Sequence, residues 1–279
     1  FTQNLEGSSV QVFKKGTANA QPFTMSFWVK SNKTGTSQVN LIDQDNDRMV
    51  SGTYAISSGD TWEQKHINFP ADTTGAWAND NGLSLTVEFP LDTGSNWTSG
   101  TAPSAWEAKN NADRNPNNLA LGDNTANDWA ITGVQLEVGE YTSSTIPSFQ
   151  YETYGESLLR CRRYTYLHMN TDQDGGPFLG LCFAYGTANW QSSLQLSPPM
   201  RAVPTVSSVS GTNYYRIYSD GGTVDFNQID LNAATLSGGF CTVVDLSLDS
   251  ASGGTSGFAG KAKGNSSSAG TMLLMDAEL

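Results

Sequence analysis

Residues 23–30, FTMSFWVK, alternate without a break. Phe23, Met25, Phe27 and Val29 fall on one side, and Thr24, Ser26, Trp28 and Lys30 on the other. A period of two is the signature of a half-buried strand. Similar segments return at short intervals as SQVNLID, MVSGTYAIS, WEQKHINF, LSLTVEFPL and WAITGVQLEV, ending near Val138. Turns such as SNKTGT and QDNDR separate them, and no helical period competes. Residues 92–128 interrupt the series as a long loop rich in Asn, Gly, Ser and Ala. Short strands at regular spacing with Gly/Asn turns predict an all-β, antiparallel β-sandwich. The long crossing loops point to its jelly-roll form.

The pattern changes after Gly139. Residues 140–150 read as a Ser/Thr/Pro linker, and ESLLRCRRY then supports about two helical turns. Leu158, Leu159 and Cys161 fall near one side, with Arg160, Arg162 and Arg163 around the others. So short a helix is unstable alone in water. It is therefore expected to dock on the next domain or on a neighbouring subunit, with the three arginines at that interface. Strands return as PFLGLCFAY, WQSSLQLS, PTVSSVS, YYRIYS, TVDFNQIDL, FCTVVDLSL and TMLLMDAEL. The Gly/Ser-rich run SASGGTSGFAGKAKGNSSSAG between the last two is expected to be a flexible loop or a long turn. The expected organisation is a jelly-roll domain over residues 1–140, a linker with a short basic helix over 141–168, and a second β-sandwich over 169–279.

Charge narrows the partners. The net charge is −12, and both parts are acidic: 8 Lys/Arg against 16 Asp/Glu over residues 1–150, and 7 against 11 over 151–279. The basic footprint that nucleic acid or anionic lipid requires is missing. No run of 18 apolar residues is present to cross a membrane, and no signal peptide is recognisable. The chain opens on Phe1 rather than Met and reads as a fragment of something longer. Cys161, Cys182 and Cys241 are odd in number and widely spaced, which argues against a disulfide framework or a zinc site. They read as small buried hydrophobes of a chain made in a reducing cytoplasm.

Catalytic signals are sparse, and the chain is expected not to be an enzyme. His66 and His168 stand alone, without an HxH or HExxH pattern, and GxSxG and phosphate-loop motifs are absent. Triads are spatial, so a Ser–His–Asp arrangement stays open at this level. Asp43, Asp45 and Asp47 begin like a calcium loop, but Arg48 replaces its glycine and Tyr54 its final glutamate. A self-bonded Asp/Asn turn is the main reading and weak calcium binding the alternative. Trp28 and Trp62 read as core or sheet-face packing. Trp77, Trp97 and Trp106 lie in the loops TGAWAND, GSNWTSG and PSAWEAK. A loop Trp beside a polar residue such as Asn96 suits sugar recognition, through a flat apolar face and hydroxyl-bonding groups. The alternative is that these rings fold back to cap the sandwich.

These residues also carry a resemblance. FTMSFWVK followed by SNKTGT, then NFPADTTGAWANDN, GSNWTSGT and ITGVQLEVGE, resembles a module that recurs in structural proteins of tailed bacteriophages, including marine ones. That module is similar to a jelly-roll carbohydrate-binding domain. In the family the last strand is followed by a segment like YGEEL.LCQRYY, and here the sequence reads YGESLLRCRRYTY. PPMRAVPTV, NYYRIYSDGGTVDF, the Gly-rich run and the closing DAEL look like the second β-domain that follows. The likeness covers nearly the whole chain and is strongest over residues 129–167. It implies a virion protein, the distal part of a tail fibre, assembled in the host cytoplasm and displayed on the particle. It further implies a homotrimer, attachment to other virion proteins through an upstream part, and a host surface glycan or protein as receptor. It supplies no catalytic motif. A capsid or tail decoration or adaptor protein is the alternative. A polysaccharide depolymerase is disfavoured because the repeats of a long β-helix are missing.

Overall fold

A computed structural model describes residues 1–170, 177–187, 189–249, 255–265 and 271–279. The chain divides into two compact units, residues 1–151 together with Leu279, and residues 152–278. The division falls between Tyr151 and Glu152, inside the stretch that the sequence assigns to a linker with a helix.

The first unit contains β1 (Thr2–Glu6), α1 (Gly7–Val10), β2 (Phe23–Ser31), β3 (Gly35–Asp43), β4 (Arg48–Ile56), β5 (Glu63–Phe69), β6 (Leu83–Glu88), α2 (Ser95–Thr98), β7 (Glu107–Ala108) and β8 (Trp129–Val138). Five strands form one sheet in the order β1-β6-β3-β4-β7, and three form another in the order β5-β2-β8. All their pairings are antiparallel. The alternation of β2 explains the layering. Phe23, Met25, Phe27 and Val29 are buried in one cluster with Val39 and Leu41 of β3, Val50 and Tyr54 of β4, and Leu85 and Val87 of β6. Phe27 meets Tyr54 and Phe89 edge to face, at centroid separations of 5.1 and 5.2 Å. Two sheets closed over one apolar layer make a β-sandwich.

The second unit contains α3 (Tyr154–Arg162), β9 (Thr165–Met169), β10 (Phe178–Ala184), β11 (Trp190–Met200), β12 (Thr205–Ser208), β13 (Tyr215–Ser219), β14 (Gly222–Phe226), β15 (Gln228–Ser237), β16 (Phe240–Asp249), β17 (Ala259–Gly264) and β18 (Leu273–Asp276). A seven-stranded sheet runs β14-β13-β17-β10-β11-β16-β15, and a three-stranded sheet runs β12-β18-β9. Both contribute to one core, with Trp190, Tyr215 and Phe226 from the larger sheet and Met169, Leu273 and Met275 from the smaller. All-β architecture therefore holds for both units.

Two expectations are corrected here. The Gly/Ser-rich run is not simply a loop, because its middle forms β17, inside the large sheet between β13 and β10. Gly260 is needed there: a Cβ on it would lie 2.7 Å from Ile217 and 3.2 Å from the Trp190 ring. The flanks of the run, 250–254 and 266–270, lie outside the described residues. Cys161 is exposed on α3, whereas Cys182 and Cys241 are buried. Burial pushes the Cys182 thiol up to about 12, which keeps it an inert apolar group.

Candidate functional site

The two outer faces of the first sandwich differ. On the five-stranded sheet the outward residues Gln38, Asn40, Ser51 and Glu88 are buried beneath residues 92–128. Asn40 donates to Glu88 (2.8 Å), and Arg114 grips the same carboxylate through Nε (3.0 Å) and a second guanidinium nitrogen. The Arg114 carbonyl accepts from Gln38 Nε2 (2.8 Å) and Asn40 Nδ2 (2.7 Å). Trp97 lies flat against the Arg114 guanidinium at 3.8 Å. The Gln38–Asn40–Glu88 part of this face is sealed, while Thr36, Thr53 and Ala55 at the other end of β3 and β4 stay exposed.

The loop tryptophans follow from that sealing and from a second cluster. Trp77 and Trp106 are 6% and 9% exposed, which corrects the expectation that they contact a sugar. Their rings wall in the Lys15 ammonium at 5.5 and 5.1 Å. Lys15 bonds Asp43 (2.5 Å) and the carbonyls of Thr74 and Gly75, and lies 3.2 Å from Asp72. Arg48 closes the cluster on Asp72 at 2.9 Å. Burial opposes ionisation of Asp72. The hydrogen bonds from Arg48, the Thr74 N–H and Lys15 outweigh it and hold the carboxyl below its ordinary value. Trp97 is half-buried under Arg114, and of the four predicted contact residues Asn96 alone is exposed. The three aspartates of the calcium alternative take separate partners: Asp43 binds Lys15, Asp45 accepts from the Ala78 N–H (3.0 Å), and Asp47 pairs with Lys109. Among the described residues no group of three metal-ligating side chains exists.

The outer face of β5-β2-β8 is exposed at Trp28, Gln64, Thr132 and Asn68, while Ser26 and Thr24 on its central strand are covered. Register places its outward residues in rungs: Gln64, Trp28 and Thr132; then His66, Ser26 and Gln135; then Asn68, Thr24 and Glu137. Trp28 is 40% exposed. A bulge in β8 accommodates its indole, with Gly133 at φ 59° beside the ring. The chain after β8 folds back over the far rung, where the Tyr141 N–H donates to Thr24 Oγ1 (2.9 Å). It then runs alongside the face, and Gln135 Nε2 donates to the Pro147 carbonyl (2.9 Å). Phe149 and Tyr151, packed edge to face at 5.1 Å, form the opposite wall. Between the walls lies a groove of about 440 Å³ whose floor is Trp28, Gln64, Thr132 and Gln135. No carboxylate, lysine or arginine lines it. His66 stands in the adjoining rung. Burial lowers its pKa, and its Nε2 has no hydrogen-bond partner among the described residues. Trp28 was legible as an outward residue of an alternating strand. Gln64, Gln135, Phe149 and Tyr151 carry no sequence signal, because only register and the returning chain bring them together.

In the second unit, Arg160, Arg162 and Arg163 do not act as a set. Arg160 is exposed and bonds Glu152 at 2.9 Å, Arg162 lies over Tyr166 (5.3 Å), and Arg163 lies over Phe240 (4.6 Å). The helix bearing them is fixed by a reciprocal capping box between Thr153 and Glu156. His168 bonds the Leu179 carbonyl at 2.7 Å and stacks on Tyr166.

Comparisons with known proteins add little. No protein-family model matches the chain, and no curated protein matches it. Among solved structures, similarity is found to the SENS161-164DSSN mutant of Bacillus subtilis oxalate decarboxylase OxdC. That match is 9% identical over 99% of this chain and 72% of the other, with a TM-score of 0.12. A likeness of that level carries no argument about fold or function.

Proposed function

We propose that the chain is a virion protein, the distal part of a bacteriophage tail fibre, whose first unit is a jelly-roll, carbohydrate-binding-like module for a host surface glycan. The observation that carries the reading is the exposed part of the β5-β2-β8 face, where an exposed indole is flanked by amide side chains under an aromatic wall. A pyranose ring presents apolar C–H groups on one face and hydroxyls around its rim. An indole suits the first, and Gln and Thr side chains suit the second. The uncharged lining selects a neutral saccharide over a uronic or sialic acid. The eight strands of the unit, divided between two sheets with the chain passing repeatedly from one to the other, support the jelly-roll assignment. The virion assignment rests on the sequence resemblance.

The test is binding of labelled protein to host cells before and after their surface polysaccharide is stripped, followed by titration with the purified polysaccharide. Trp28→Ala is expected to weaken binding roughly tenfold, the equivalent of one aromatic contact of about 1.5 kcal/mol. Its melting temperature should be unchanged, because the side chain lies outside the core. Asn96→Ala, on the sealed side, should bind like the parent. Equal affinity for the Trp28 variant and the parent sinks this placement of the site.

A further inference from the structure

The glycan reading leaves the buried Lys15 cluster unused. Among the described residues Lys15 is the only buried lysine. Its side chain is 2% exposed, that of Asp43 0% and that of Asp72 6%. The Trp77 and Trp106 rings flank its nitrogen. The backbone beside it is fixed as well. The Gly16 N–H donates to the Asp72 carbonyl (2.9 Å). Gly16 itself, at φ 77°, packs so tightly that a Cβ would meet the Ala76 nitrogen at 2.2 Å.

The atoms around Lys15 have separable roles. Its Nζ lies 2.5 Å from Asp43 Oδ2, and the Thr74 and Gly75 carbonyls accept from it at 2.9 and 2.8 Å. Asp72 Oδ2 lies 3.2 Å from the same nitrogen and is held in place by Arg48 Nε at 2.9 Å. The other oxygen of Asp43, Oδ1, accepts from the Asp45 and Asn46 N–H groups, each at 3.0 Å. Two backbone N–H groups on one carboxyl oxygen form an oxyanion hole. A proton shift from Nζ to Oδ2 turns ammonium and carboxylate into amine and acid. Away from water the charged pair lacks the solvation that would otherwise hold it ionised. The two carbonyls keep the remaining N–H groups, so the freed lone pair faces the Asp43 carboxyl.

We propose that Lys15 and Asp43 condense into an intramolecular isopeptide bond, with Asp72 as the proton carrier. Lys15 Nζ attacks Asp43 Cγ, and the charge that forms on Oδ1 is taken by the Asp45 and Asn46 N–H groups. Asp72 removes one proton from the nitrogen and passes it to Oδ2, which already carries the proton received from the ammonium. The Cγ–Oδ2 bond breaks, and Oδ2 leaves as water. One C–N bond forms, one C–O bond breaks, and no oxidant, cofactor or second molecule is consumed. Fixing amine and acid side by side supplies the effective concentration that free groups lack. The ion pair described above is the state before the bond forms. The product ties residue 15, ahead of β2, to the end of β3, and so closes a loop that unfolding cannot open.

The test is the intact mass of the chain in denaturing solvent. The parent should be lighter than the mass of its sequence by one water. Its tryptic digest should contain a branched peptide that joins the Lys15 and Asp43 segments and is uncut after Lys15. Lys15→Met and Asp43→Ala should show their full sequence masses, folded or not. Asp72→Asn, with the circular dichroism of the parent, should keep its full mass over the time in which the parent converts. A parent of full sequence mass overturns the proposal. So does a missing water that maps elsewhere, for example to a cyclised Asn81–Gly82 pair. A folded Asp72→Asn chain that converts as fast as the parent overturns the role given to Asp72. The parent's mass and peptide map decide the matter even where a variant fails to fold. None of these masses bears on glycan binding, so the two readings fail separately.

Discussion

Lys15→Met is expected to destabilise the first unit by about 3–5 kcal/mol, because it leaves two buried carboxylates facing an apolar side chain. For a unit of this size, that corresponds to a fall in melting temperature on the order of 10 °C. Lys15, Asp43 and Asp72 are all nearly inaccessible to water, so solvent cannot replace the lost ammonium. Removing one partner costs far more than removing both. Adding Asp43→Asn to Lys15→Met should therefore recover a substantial part of the loss, since an amide carries no charge to orphan. The pH dependence has a definite sign. Asp72 is ionised more easily folded than unfolded, so its contribution is present above its ordinary value near 3.9 and fades as pH falls through the lower folded value. With Lys15 gone, acid unfolding should begin at higher pH. Denaturant and acid melts of the three proteins measure both effects, and a Lys15→Met protein as stable as the parent would remove this cluster from the account of the fold.

Trp190→Ala is expected to cost the second unit about 3–5 kcal/mol, the usual range for emptying a fully buried aromatic site. Trp190 is 0% exposed, and Gly260 of β17 packs so close to its ring that a Cβ there would lie 3.2 Å from it, so deleting the indole empties a tightly filled site. Its indole Nε1 has no hydrogen-bond partner among the described residues. Trp190→Phe should consequently cost much less than Trp190→Ala, because it keeps most of the ring and deletes an unsatisfied donor. Urea melts of the two variants separate these terms. Equal losses would mean that ring volume is not what Trp190 contributes.

Strands with clean alternation were legible because burial on one side writes a period of two into the sequence. FTMSFWVK is the clearest, and its four apolar positions are four core residues of β2. β17 was not legible, because a strand squeezed between Trp190 and its neighbours selects small residues, and Ala-Gly-Lys-Ala-Lys-Gly has the composition of a loop. TVDFNQIDL read as one strand and forms parts of two, β14 and β15, which meet near Asn227. The loop tryptophans misled for a related reason. Nothing local to Trp77 or Trp106 announces that a lysine some sixty residues or more upstream will sit between them. The groove is not legible in the sequence, because its polar members are ordinary outward residues of three different strands. Only the register of β5, β2 and β8 converts them into a site.

The sealed part of the five-stranded sheet has a consequence for durability outside a cell. Trypsin needs an extended stretch of free backbone, and residues 92–128 offer it Lys109 and Arg114 in a segment with little regular structure. Yet the carbonyl of the Arg114 scissile bond is tied by two buried amide side chains, and the guanidinium that the protease must recognise is clamped by Glu88 and covered by Trp97. Cleavage there has to wait for the segment to lift off the sheet. Its rate in limited digestion should follow the opening equilibrium of the sandwich rather than the length of the loop.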